Sequence, residues 1–99
     1  MKVHLVPEAQ EEFFDALEYY KGAGRSLGRR FKDEIVQCIG WIAIHHDYYR
    51  LRPGGYRRIN LKVFPYYLPF IQRGDVLWVL AVAHAARRPE YWINRSSEI

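Results

Sequence analysis

A chain of 99 residues, 49% hydrophobic and 16% aromatic, is one domain with enough apolar material for a core, and its single cysteine, Cys38, excludes an internal disulfide. The longest uninterrupted apolar run, Val76–Ala83, is eight residues and too short to cross a bilayer, and the opening residues carry no apolar stretch of secretory-signal length. The net charge of +4 is unevenly spread: residues 1–47 hold six Lys/Arg against eight Asp/Glu, while residues 48–99 hold nine against three, with ten of the sixteen aromatics. The expectation is a single cytoplasmic domain over residues 1–99, without membrane association, whose C-terminal half faces a polyanion or an acidic partner.

Lys2–Val6 reads as a short strand ended by Pro7, and proline at the first helical position is tolerated because its missing N–H would have no partner there. Glu8, Glu11 and Glu12 then fall in the first turns, where the helix dipole favours anions. Ala9, Phe13, Ala16, Leu17 and Tyr20 follow helical spacing, and Gly22-Ala23-Gly24 stops the helix. Ser26 is placed to cap a second helix with a buried stripe of Leu27, Phe31, Ile35, Cys38, Ile39 and Ile42. Residues 45–55 form a loop broken by Pro53-Gly54-Gly55. In Tyr56–Val63, Ile59, Leu61 and Val63 alternate with Arg58, Asn60 and Lys62, the pattern of a strand with one buried face. Tyr66–Gln72 and Val76–Ala83 make a hairpin across Arg73-Gly74-Asp75, and Pro69, which cannot donate to a ladder, predicts a bulge or an unpaired stretch.

Strand, helix, helix and three meandering strands define an α+β domain: an N-terminal strand, with an antiparallel helical hairpin packed on one face of a mainly antiparallel four-stranded sheet. The other face is expected to be open, with Arg58, Asn60 and Lys62 directed into it. Where the last strand stops lie His84, Arg87, Arg88, Tyr91 and Trp92. Metal-free RNA cleavage needs a base for the 2′-hydroxyl, cations for the phosphorus oxygens and an acid for the leaving 5′-oxygen. A histidine can fill either proton-transfer role, an arginine can grip the phosphate, and Tyr91 or Trp92 can stack on an unpaired base. Each also has a structural reading: His84 closes its strand by a backbone hydrogen bond, Arg87 and Arg88 are solvated, and Trp92 plugs the core. His45-His46-Asp47 completes no metal site, and neither a metal nor another cofactor is expected. The acids between residues 8 and 18 read as a solubilising helix face, and Cys38 as a core thiol.

The run Arg57-Arg58-Ile59-Asn60-Leu61-Lys62-Val63-Phe64-Pro65-Tyr66, the apolar strand ending at His84 and the segment Arg87-Arg88-Pro89-Glu90-Tyr91-Trp92 together resemble the toxins of the RelE/ParE superfamily. These belong to bacterial type II toxin–antitoxin systems, and the resemblance extends from Val3 to Arg95. It implies the same α+β fold and a toxin neutralised by a cognate antitoxin, whose disordered acidic segment folds over the basic surface. Phe64-Pro65-Tyr66 looks like a family hallmark that serves packing and turn geometry. By resemblance the leading expectation is a ribosome-dependent, metal-independent mRNA endonuclease, with the ribosome and mRNA as partners. Its catalytic residues would be Lys62, His84, Arg87, Arg88 and Tyr91, and its binding residues Arg57, Arg58, Asn60 and Trp92. The alternative is a toxin of the same fold that inhibits DNA gyrase without nuclease activity. A third reading is a non-toxic RNA-binding adaptor.

Overall fold

A computed structural model describes residues 1–99. In chain order the elements are β1 (Lys2–Leu5), α1 (Pro7–Ala23), α2 (Leu27–His45), a 3-10 turn (His46–Tyr48), β2 (Arg57–Asn60), β3 (Tyr66–Arg73), β4 (Val76–Val79), β5 (Ala83–His84) and a C-terminal 3-10 segment (Ile93–Glu98). Helix α1 opens on Pro7, with Glu8 in its first turn and Lys21 in its last, both matched to the helix dipole. It continues through Gly22 and Ala23, and the chain turns at residues 24–26. Ser26 does occupy the N-cap position of α2, but in the left-handed region (φ 69°) and without a side-chain cap. Its backbone carbonyl accepts the N–H of Arg30 at 3.0 Å instead. The two helices close tightly because residue 28 is glycine: a Cβ there would stand 2.5 Å from Lys21 Cγ.

The sheet order is β1-β4-β3-β2, with β1 parallel to β4 and the other pairs antiparallel. Gly74, at φ +61°, is the first of two residues linking β3 to β4, the backbone a type II′ turn requires. Pro69 has the predicted consequence. Pairing runs Phe70↔Val79, then resumes at Tyr67↔Ala83, so three steps along β3 face four along its partner. The bulge covers Leu80–Val82, and β4 and β5 are one strand interrupted by it.

The helix-facing side of the sheet builds the larger core: Phe31, Ile35, Cys38 and Ile42 of α2 and Ala16 and Leu17 of α1 meet Ile59, Leu68, Phe70, Leu77 and Val79. Burial first, then the nearby Glu34 carboxylate, pushes the Cys38 thiol up to about 11, so it stays a neutral core residue. The opposite face departs from expectation, because it is not open along its length. The C-terminal segment lies over it, with Trp92 packed in a second cluster of Tyr56, Tyr67, Ile71 and Leu80. One end stays uncovered, bearing Lys2 and His4 of β1, Val76 and Trp78 of β4 and Arg73 of β3, all on that face by register.

The second strand is also shorter than its alternating pattern suggests. Arg58 and Asn60 do lie on the far face, but Lys62 and Val63 belong to the turn that follows, and Val63 is exposed. The cause is Glu34, midway along α2. Its carboxylate accepts the backbone N–H of Lys62 (2.7 Å), Val63 (3.2 Å) and Phe64 (3.3 Å), taking over the donors that would otherwise extend the ladder. Replacing Glu34 by Ala should therefore cost about 1–2 kcal/mol of stability, and by Gln clearly less, because three backbone donors lose a charged acceptor. Urea denaturation of the two variants measures this, and an unchanged midpoint for Glu34→Ala would remove Glu34 as the determinant of this turn.

Candidate functional site

Two backbone groups of the bulge need partners that no strand supplies, because β1 ends at Leu5 beside Val79. Glu12 of α1 and Arg95 of the C-terminal segment provide them. The Glu12 carboxylate accepts the Val82 N–H at 3.1 Å, and Arg95 donates to the Leu80 carbonyl at 3.0 Å. The two side chains also pair with each other at 2.8 and 3.2 Å, both largely shielded from solvent. Glu12 further accepts the Tyr91 hydroxyl at 2.6 Å and a longer contact from Arg87 at 3.4 Å. Arg87 lies 3.7 Å over the Tyr91 ring, and Arg95 approaches the same ring at 5.2 Å. A carboxylate placed among solubilising acids by its sequence is thus the hub of this corner.

This arrangement decides what Tyr91 can do. Burial first, then its hydrogen bond to Glu12, drives the Tyr91 phenol far above its ordinary range. It is held as a neutral donor, and the Arg87 guanidinium covers its ring. Arg87, half-exposed, keeps one side toward solvent. Arg88 is exposed and forms no ion pair.

His84 ends β5. Its Nδ1 accepts the Ala86 N–H at 3.0 Å and its ring meets Tyr66 edge-on at 5.0 Å. The backbone reading of His84 therefore holds for Nδ1. The neutral tautomer carries its proton on Nε2, which has no hydrogen-bond partner within the chain. His84 and Arg87 share a hollow of about 270 Å³ with Glu12, Asp15, Tyr19 and Tyr66.

The remaining sequence-derived residues lie elsewhere. Lys62 lines a different hollow, about 360 Å³, with Glu34, Cys38, Trp41, Tyr48 and Asn60. Arg57 points to the helix side and donates to the Tyr49 carbonyl at 2.9 Å. Arg58 stacks over Tyr67 at 4.0 Å and donates to Asn60 at 3.2 Å. Trp92 is 1% exposed, edge-on to Tyr56, and its indole N–H donates to the Tyr67 hydroxyl at 3.0 Å. Its ring is unavailable to a base, which corrects its assignment as a binding residue and leaves the core plug. Beside it, Glu90 adopts a left-handed backbone (φ 59°) and accepts the Tyr56 hydroxyl at 2.6 Å. No group of three or more His, Cys, Asp or Glu residues converges as a metal site would require.

Sequence reasoning missed Glu12 and Arg95 as functional-corner residues. The signal for Glu12 was present, since it falls three residues after Ala9 and four before Ala16, on the buried side of α1. Arg95 carries no comparable signal, because its 3-10 segment has no periodicity to read.

Compared with known families, residues 3–89 match the profile described as "ParE toxin of type II toxin-antitoxin system, parDE". Among solved structures the chain is similar to one titled "Chromosomal ParDE TA system from P. aeruginosa", with a TM-score of 0.74 at 18% identity. That match covers 85% of this chain and 95% of the other, and at this identity it shows the shared fold. No curated protein sequence matches the chain.

Two outcomes follow for the corner itself. Glu12→Ala should lose about 2–3 kcal/mol, because a shielded guanidinium and a backbone donor are left without their acceptor. Chemical denaturation followed by tryptophan fluorescence reads this directly, and a loss below that of an exposed-glutamate control would contradict the hub. Burial is also the leading cause of raised phenol values at Tyr49, Tyr56 and Tyr66, the last to about 12. Unfolded tyrosines release their protons near pH 10 and the folded ones do not, so stability present below that pH is lost as pH rises above about 10. Tyr91→Phe should make this alkaline decline shallower in urea midpoints taken from pH 8 to 11. Identical slopes would show that Tyr91 does not contribute.

Proposed function

The chain belongs to the ParE toxin family of type II toxin–antitoxin systems, and from that premise we propose that it inhibits DNA gyrase by binding, with no chemistry of its own. Family membership implies a cognate antitoxin. ParE toxins are usually directed at gyrase, which makes gyrase the first target to test.

The observation that carries the reading is the dispersal of the residues a nuclease would need. Metal-free cleavage requires a base, an acid and cations around one phosphate. Here Lys62 lines one hollow while His84 and Arg87 line another. Tyr91 is committed to Glu12 as a donor, and Glu12 also holds Arg95 at 2.8 Å and contacts Arg87 at 3.4 Å. A binding toxin needs none of these groups to be free, only a rigid surface, and the Glu12 corner supplies rigidity. The endonuclease is the second reading. One feature favours it: the unpartnered Nε2 of His84 shares a hollow with Arg87.

The deciding experiment adds purified protein to a gyrase supercoiling reaction and, in parallel, to a reconstituted translation system whose message ends are mapped by primer extension. Supercoiling should be blocked with the message left intact, and His84→Ala should block it as well as the native protein does. Uninhibited gyrase alongside ribosome-dependent cuts that disappear in His84→Ala would overturn the reading in favour of the nuclease. A protein that does neither, and does not arrest growth on expression, would be an adaptor.

A further inference from the structure

We propose that the uncovered end of the far sheet face is a binding platform for single-stranded nucleic acid, formed by Lys2, His4, Arg73 and Trp78. The inference is independent of which target the toxin attacks, and it uses none of the residues of the Glu12 corner.

Register places these side chains together. Lys2 pairs with Val76, and Val76 with Arg73, so the two cations flank a valine in one row across β1, β4 and β3. They stand roughly 10 Å apart, two strand spacings. The next row is His4, Trp78 and Ile71. The His4 and Trp78 rings lie 5.2 Å apart at 34°, with His4 exposed and Trp78 backing it from the edge of the second core. The C-terminal segment covers the far face from Ile71 onward and leaves Lys2, His4 and Arg73 exposed.

The chain's three ion pairs involve Lys21, Arg87 and Arg95, so neither Lys2 nor Arg73 is neutralised by a carboxylate. Arg73 makes only a contact of 3.3 Å to the neighbouring Gln72 carbonyl. Two unpaired cations in one row with the exposed His4 ring, backed by Trp78, in the next offer phosphate contacts beside a stacking surface: the cations take the backbone and the ring takes a base face. The flatness of a sheet suits an unstacked base, as sheet platforms for RNA do, whereas in a duplex the base faces are hidden. An acidic peptide would satisfy the cations but leave the ring unused.

Fluorescence anisotropy with labelled 20-residue oligo-dT, oligo-rU and a duplex of equal length tests this. Both single strands should bind more tightly than the duplex, and the preferred one identifies the natural class. The Lys2→Ala/Arg73→Ala double variant should bind about tenfold more weakly and lower the slope of log K against log salt by about 1.4, the share of two phosphates. His4→Ala should weaken binding about tenfold with the slope unchanged, because stacking releases no counterions. All of these positions are at the surface, and equal thermal midpoints establish that the variants are folded. Native protein that binds no single strand, duplex bound as tightly as single strand, or affinity unchanged in both variants would each overturn the proposal. Inhibition of gyrase that survives in the double variant would leave the target reading standing on its own.

Discussion

The fold depends on how backbone groups are satisfied where the sheet stops pairing, and Glu12 is the critical instance. Pro69 cannot donate to the central ladder, so the chain bulges at Leu80–Val82 and frees polar groups at a place where β1 has already ended. Glu12 from α1 and Arg95 from the C-terminal segment take those groups, and the ion pair between them ties three elements to one point. Glu34 solves the parallel problem after β2, where one carboxylate takes three consecutive N–H groups. Both helices thus do more than cover the sheet, since each sends a carboxylate into it to end a strand.

The same accounting changes how the charge should be read. The C-terminal half has a large formal excess of cations, but several serve the fold. Arg57 is bound to a backbone carbonyl, and Arg87 and Arg95 to Glu12. Arg58 lies flat on Tyr67. The cations left without an acidic partner, Arg88, Lys62, Arg73 and Lys2 among them, are distributed around the molecule rather than gathered at the end of the last strand. A sequence shows the number of charges; only the contacts show which remain available to a partner.

The layer architecture was legible because it rests on periodicity. The α1 and α2 stripes and the hairpin at Gly74 follow from spacing and turn chemistry that act locally, and Pro69 announced its bulge for the same reason. The length of β2 was not legible, since alternation continues through Lys62 and Val63 while the acceptor that ends the strand sits on α2, twenty-eight positions away from Lys62. The cover over the far face was hidden for a different cause. Residues 93–98 form a 3-10 segment, and what anchors it, Trp92 in a pocket and Arg95 on Glu12, is tertiary contact without a sequence period. Of the candidate site, His84 and Arg87 do share a hollow as the chain order suggests, whereas Lys62, grouped with them by family resemblance, lines a different hollow.

A scaffold of this kind can carry either chemistry or recognition, and the corner at the end of β5 is where the two diverge. For a nuclease, the groups around His84 must be electrostatically unspent, because cations stabilise a transition-state phosphate only to the extent that no anion already holds them. Glu12 occupies that position from within the chain. It draws the Arg87 and Arg95 guanidiniums and the Tyr91 hydroxyl onto itself. The gain is a C-terminal segment locked over the second core. A neutral residue at position 12 would release the cations, but it would also release the segment and strand the Val82 N–H. Stability of the corner and release of its cations are therefore opposed in this chain.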